Sequence, residues 1–151
     1  MNKITVTLQD GSTKELLPPD QLTQEKWRYV VVFVDGVDEL IPYLGLVAVN
    51  EDDSIEIVNR SGLTTAWLDR DHIYGFYYTE PIGMQFRLYR KFRKRKNGSF
   101  MLCDTTQIDY VPDVVDYYDQ WEERVERMNH ENSLFEYSWG TRYIFQEDEW
   151  L

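Results

Sequence analysis

The sequence predicts an α+β fold, a curled antiparallel β-sheet of small-barrel or sandwich-like form with one long amphipathic helix near the C-terminus packed on it. Three observations lead there. β-Branched and aromatic runs recur at spacings of about ten residues with turn-forming residues between them, as strands of a curling sheet do. A sustained helical period occurs once, over residues 112–131. No linker, repeat or low-complexity stretch interrupts the 151 residues, so residues 1–151 read as a single domain.

Ile4, Val6 and Leu8 alternate with Thr5 and Thr7 ahead of Asp10-Gly11. That pattern predicts two strands across residues 3–17, joined by a tight turn with both turn residues at positive φ. Pro18-Pro19 ends the second strand, and Asp20 is placed to cap a short helical turn over residues 20–26. Residues 28–34 are β-branched and aromatic enough for a buried central strand, stopped by Asp35-Gly36. Residues 43–50 and 54–59 flank Glu51-Asp52-Asp53 as a hairpin with a three-residue loop, and 62–68 with 72–79 repeat the rhythm. In the last of these strands Tyr74 and Phe76 share one face and Tyr77 the other, so at least one ring meets solvent or a partner.

Asn97-Gly98 between two β-rich runs predicts a two-residue type I′ turn, with Lys94 opposite Met101 and Phe92 opposite Cys103. Strand alternation then separates an apolar face (Met84, Phe86, Leu88, Phe92) from a basic one (Arg87, Lys91, Arg93, Arg95). Val114, Tyr118, Trp121, Val125 and Met128 follow at spacings of 4, 3, 4 and 3, a single helical stripe that faces the sheet. Pro112 suits the first helical turn, and Asp113 and Asp116 lie where the helix dipole favours anions. Residues 138–145 read as a final strand before an acidic tail.

Charge is segregated along the chain. Residues 1–86 hold 6 cations and 14 anions, residues 87–103 hold 7 and 0, and residues 104–151 hold 3 and 13, for a net charge of −11. Such a charge argues against wrapping duplex nucleic acid or an anionic membrane. The acidic side chains Asp113, Asp116, Asp119, Glu122, Glu123 and Glu126 gather along the helix, four of them on one face at spacings of 3, 4 and 3 from Asp116. At about 1.5 Å per residue, one helix carries charge more sparsely than DNA, which has one phosphate per about 1.7 Å. A nucleic-acid mimic therefore also needs the acidic residues of 51–53 and 147–149 on the same side.

Other chemistry lacks its residues. One cysteine and two histidines cannot build a disulfide framework or a Cys/His metal cage, and neither a metal nor a cofactor is expected. No glycine-rich phosphate loop or nucleophile elbow occurs, and Asp69-Arg70-Asp71-His72 reads as a polar turn rather than a catalytic pair. Cys103 reads as a small buried apolar residue. The first seven residues have no signal-peptide apolar run, and residues 29–34 fall far short of the roughly 20 needed to span a bilayer, so the expectation is a cytoplasmic protein without a membrane.

The functional expectation is a non-catalytic, acidic, protein-binding protein. In that reading it is an inhibitor or immunity-type protein whose carboxylates occlude the basic groove of a nuclease or other nucleic-acid-handling enzyme. One alternative is nucleic-acid or small anionic ligand binding by the basic residues of 87–96, with Arg87, Lys91, Arg93 and Arg95 on phosphates and Tyr89 as a stacking platform. The other is a structural subunit of a homo-oligomer whose hairpin cations meet acidic surfaces of a neighbouring copy.

Overall fold

A computed structural model of the chain describes residues 4–25, 28–95, 97–109 and 114–151, leaving aside the side chains of Val114 and Val115. The expected α+β class holds, with sheet predominant and a single α-helix near the C-terminus among the described residues. The described strands nevertheless form three open sheets, of two, five and three strands, rather than one sheet curling toward closure. The chain divides into two compact units, one of Met1–Glu80 with Glu147–Leu151, the other of Pro81–Gln146. Pro81 lies where the ladders break, as a residue without a backbone N–H favours.

In the first unit, β1 (Ile4–Thr7) and β2 (Thr13–Leu16) form a hairpin. The helical turn expected over 20–26 is only a 3-10 turn, Pro19–Gln21. Asp20 falls inside that turn, where it cannot cap, and Leu22 already has extended backbone. Then follow β3 (Tyr29–Asp35), β4 (Leu40–Val49), β5 (Ile55–Val58), β6 (Thr64–Leu68) and β7 (Ile73–Thr79), arranged β6-β5-β4-β3-β7. The long β4 changes partners midway, pairing with β3 up to Gly45 and with β5 from Leu46. A Cβ on Gly45 would sit 2.4 Å from the Val58 carbonyl oxygen, so only glycine permits the crossover. β3 is the central strand the sequence predicts, with Val30, Val31, Val32 and Phe33 all buried. Its two faces feed two cores, one around Val32, Ile55, Ile57 and Phe76, the other around Val31, Phe33, Leu8 and Leu16. Of the aromatics on β7, Tyr74 meets solvent while Phe76 and Tyr77 are buried.

Three hairpins of this unit use one turn design. A backbone bond closes residue i on i+4 (Leu8 with Ser12, Asn50 with Ser54, Asn59 with Leu63), and the third loop residue is left-handed: Gly11 at φ 86°, Asp53 at 68°, Gly62 at 80°. The loop at 51–53 has the expected length. At Asp10-Gly11 only the glycine has positive φ, because the loop is one residue longer than a two-residue turn. Side chains lock each loop: Asp10 accepts the Ser12 amide at 2.9 Å, Asp52 the Ser54 amide at 3.0 Å, and Asn59 the amides of Ser61 and Leu63. The serine hydroxyls, and then the amides, hold the Asp10 and Asp52 carboxyls below the usual carboxylate range.

Two charged clamps tie the unit together. Arg70, in the 3-10 turn Arg70–His72, forks onto Asp53 (2.9 and 2.8 Å) while its Nη1 donates to the carbonyls of Pro19 and Leu22 at 2.7 and 2.8 Å. Glu147 is only 5% exposed; its Oε1 accepts the Tyr77 hydroxyl at 3.0 Å and the Thr79 hydroxyl at 2.8 Å. Burial first, and the Glu147 charge second, push the Tyr77 phenol well above its ordinary range. Asp148 pairs with Arg60 at 2.8 Å.

The second unit contains β8 (Gly83–Phe92), β9 (Met101–Ile108), α1 (Val114–Glu131) and β10 (Phe135–Ile144), with sheet order β10-β8-β9. The helical stripe predicted from spacing faces the sheet: Tyr118, Trp121, Val125 and Met128 pack on Met84, Phe86, Leu88 and Ile108. Phe86 is the hub, with the rings of Tyr117, Tyr118, Trp121 and Trp139 at centroid distances of 6.0, 5.3, 5.8 and 6.1 Å. The readings on Pro112 and Asp113 lie outside the described residues. The last strand begins earlier than the expected residue 138, because the Asn132 side chain accepts the amides of Leu134 and Phe135 and so ends the helix and starts the strand at once. No helix among the described residues is long and apolar enough to cross a membrane.

Candidate functional site

The end of the β8–β9 hairpin departs from the two-residue turn that Asn97-Gly98 predicts. Arg90, not Lys94, stands opposite Met101, and Tyr89 opposes Leu102, after a bulge between Leu88 and Tyr89. Gly98 does not have the positive φ of a type I′ turn. Arg93 is the physical reason. Its amide donates to the Leu134 carbonyl at 3.0 Å, and its guanidinium donates to the carbonyls of Asn129, Asn132 and Phe135 at 2.7, 3.2 and 3.0 Å. A cation at a helix C-terminus satisfies carbonyls that have no intrahelical donor. The strand therefore stops at Phe92, and β9 starts only at Met101.

At this end of the hairpin lies a cleft of about 450 Å³ lined by Arg90, Lys91, Phe92, Arg95, Met101, Leu102, Cys103 and Phe135, among others. Phe92 and Phe135 are register partners across β8 and β10, their rings 4.7 Å apart. Three cations lie on rings at this end of the sheet: Arg90 over Phe135 at 4.8 Å, Lys91 over Phe100 at 4.6 Å, and Arg95 over Phe92 at 5.2 Å. Such stacking fixes a guanidinium without neutralising it. Lys91 also reaches Glu136 at 3.4 Å, but among the described residues Arg90 and Arg95 meet no carboxylate. The surroundings are apolar and exposed, Met101 at 71%, Leu134 at 63%, and Phe92 and Leu102 at 47% each.

The residues predicted as a basic ribbon thus divide among three tasks. Arg87 and Tyr89 are half-buried on the sheet face away from α1, with the guanidinium 5.6 Å from the Tyr89 ring and Arg87 Nε buried without a partner among the described residues. Arg93 caps the helix, and Lys91 and Arg95 line the cleft. Lys96 lies outside the described residues. Phe92, expected in the apolar face, is at the cleft instead, and Cys103, expected buried, is exposed along its wall. Phe135 was not foreseen at the site, since it reaches the hairpin only through β10, long after it in sequence.

The acidic residues also divide. Asp116, Asp119, Glu122, Glu123 and Glu126 are exposed on α1, and none has a carboxylate-binding partner among the described residues. At about 100° per residue, Asp116, Asp119, Glu123 and Glu126 centre roughly 160° round the helix from the buried stripe. They therefore face away from the sheet and do not neutralise the hairpin; the helix's Arg124 pairs with Asp104 of β9 at 3.5 Å. Asp113 lies outside the described residues. The loop and tail that a mimic would require are largely engaged within the first unit, Asp53 by Arg70, Glu147 by Tyr77 and Thr79, and Asp148 by Arg60.

Comparison with known protein families, curated proteins and solved structures finds no match to this chain.

The net charge has an unequal address. The first unit holds 6 cations and 17 anions, the second 10 and 10, so the whole −11 belongs to the first. The second is neutral overall yet polar, with cations at the hairpin end and carboxylates on the outer side of its helix. In the first unit His72 lies 3.8 Å from Asp69, both well exposed. Among the described residues no group of three or more His, Cys, Asp or Glu side chains is placed to hold a metal ion.

Proposed function

We propose that this protein works by binding, and that the cleft at the hairpin end captures an acidic, partly apolar segment of a partner protein. The observation that carries the reading is the pair Arg90 and Arg95, held on the rings of Phe135 and Phe92 beside one cleft without a carboxylate of their own among the described residues. A guanidinium fork matches a carboxylate in two parallel hydrogen bonds, and pre-positioning on a ring lowers the ordering cost of binding. Arg, Phe and Met around one hollow is the composition of a protein interface core. The −11 of the first unit favours a short acidic segment over a long polyanion, which it would repel. The test is fluorescence anisotropy with a labelled peptide alternating Glu and Phe, against an oligothymidylate of equal charge. The peptide should bind, and Arg90→Gln with Arg95→Gln should weaken it at least about tenfold without lowering thermal stability. Preferred binding of the oligonucleotide would move the case to nucleic acid, and binding of neither would sink the proposal.

A second reading follows from the unpartnered carboxylates of α1: an inhibitor that presents Asp116, Asp119, Glu123 and Glu126 to the basic groove of a nucleic-acid-handling enzyme. Replacing Asp119, Glu123 and Glu126 by their amides should then slow association with such an enzyme and flatten its salt dependence. Unchanged rates would remove the helix from the mechanism. In the homo-oligomer reading the cleft takes acidic residues of a second copy, and sedimentation would show a particle that dissociates as salt rises.

A further inference from the structure

A different cleft, in the first unit, has the makings of a small-molecule site. It encloses about 510 Å³ between residues 6–9 on one side and 39–42 on the other, with Trp150 and Leu151 completing the wall. Volumes of this order are typical of ligand pockets. Its floor is apolar: Leu8 and Phe33 are 8% and 4% exposed and belong to the same core as Val6, Leu40 and Trp150.

The neutral polar side chains around this floor are Thr7 and Gln9, and its charged side chain is of one sign. Among the described residues no Lys or Arg lines the cleft, whereas Glu39 does, and its side chain has no partner there. Both strands that border the cleft have a free edge. β1 pairs only with β2, and residues 40–45 of β4 pair only with β3 among the described residues, since β5 covers β4 only from Leu46. Free edges present backbone carbonyls beside N–H groups, and Pro42 contributes a carbonyl without an N–H, which tilts this edge toward acceptors. The surrounding unit adds the field of its 17 anions against 6 cations.

One carboxylate without a nearby cation among the described residues, edge carbonyls and an apolar floor complement a group that donates hydrogen bonds, carries positive charge and has an apolar body. An alkylammonium has three N–H donors and no acceptor. We infer that this cleft binds an organic primary amine with an aromatic or aliphatic body, its ammonium at Glu39 and the edge carbonyls, its body against Leu8, Phe33 and Trp150. A carboxylic acid of the same shape would meet Glu39 as a like charge and find no cation.

The experiment titrates the full chain with 4-phenylbutylamine and, separately, 4-phenylbutyrate, read by assigned amide and indole NMR. The amine should shift the Trp150 indole and the backbone amides of residues 6–9, and the acid should not. Glu39→Gln should weaken the amine at least about tenfold, while Asp71→Asn, which removes an exposed carboxylate elsewhere on the unit, should leave affinity unchanged. Equal binding of amine and acid, shifts confined to other residues, or no shift with the amine would overturn the inference. So would an equal loss in both variants, which would mean that net charge alone attracts the amine.

Discussion

Arg70 offers the sharpest test of how the first unit is held together. Its Nη1 bridges the carbonyl of Pro19, which also accepts the Leu22 amide at 3.2 Å, and the carbonyl of Leu22, while the other edge of the guanidinium forks onto Asp53. The Arg70 side chain is 20% exposed and the Asp53 side chain 65%. The fork therefore sits in water and adds little, and the carbonyl bonds carry the stabilisation. A hydrogen bond to a charged group contributes about 1.5–3 kcal/mol, and partial rehydration of the freed carbonyls brings the two together to roughly 2–4 kcal/mol for Arg70→Ala. Arg70→Lys should fall between, because an ammonium cannot span both carbonyls and the carboxylate. Asp53→Asn, which keeps a residue tolerant of the left-handed conformation, should cost much less than Arg70→Ala. Urea unfolding of the four proteins measures this. An Arg70→Ala loss under about 1 kcal/mol, or an equal loss in Asp53→Asn, would refute the assignment. The pH dependence gives a second reading. Hydrogen bonding from Arg70 holds the Asp53 carboxyl below the usual range, so its contribution is present above the ordinary carboxylate pKa and fades as pH falls through the lowered value. That acid-side loss should be absent in Arg70→Ala.

Other expectations concern single contacts. Arg93→Ala should cost about 1–3 kcal/mol and speed amide exchange in the last turn of α1, whereas Arg95→Ala, which makes no such bond, should stay within about 0.5 kcal/mol of wild type. Phe86→Ala should destabilise by about 3–5 kcal/mol in thermal or urea unfolding, since the hub of four aromatic contacts is lost. Tyr77→Phe removes a donor to Glu147 and should cost about 1–3 kcal/mol. The raised Tyr77 phenol stabilises the fold fully below the ordinary phenol pKa, and that share is lost as pH climbs through the raised value, so Tyr77→Phe should flatten the alkaline limb of a stability profile. Gly45→Ala should cost at least about 1–3 kcal/mol, because its methyl would press on the Val58 carbonyl.

What could be read from the sequence was local. Tyr118, Trp121, Val125 and Met128 lie within eleven residues of one helix, so their spacing alone places them against the sheet. The loop at 51–53 and the buried β3 were legible for the same reason. The hairpin at Asn97-Gly98 departs from its local preference because that preference competes with bonds from Arg93 to the far end of α1, a contact no short window contains. Phe135 joins the cleft through pairing with Phe92, and Glu147 leaves the acidic tail for the interior through Tyr77 and Thr79. Both depend on partners distant in sequence. The basic run of 87–96 is visible at once, but its division into a helix cap, a half-buried pair and a cleft requires the fold.

The chain leaves the first unit after Glu80 and returns to it at Glu147, and the hydroxyl of Thr79 donates to the Glu147 carboxylate at 2.8 Å. Departure and return are thus stitched together at the Glu147 carboxylate, which the Tyr77 and Thr79 hydroxyls both hold. A load applied between residues 4 and 151 runs first through the first unit and the short segment 147–151. The intervening 81–146 carries tension only after Glu147 has been pulled from Tyr77 and Thr79. Pulling in an optical trap should therefore show this stitch giving way before the inserted unit extends.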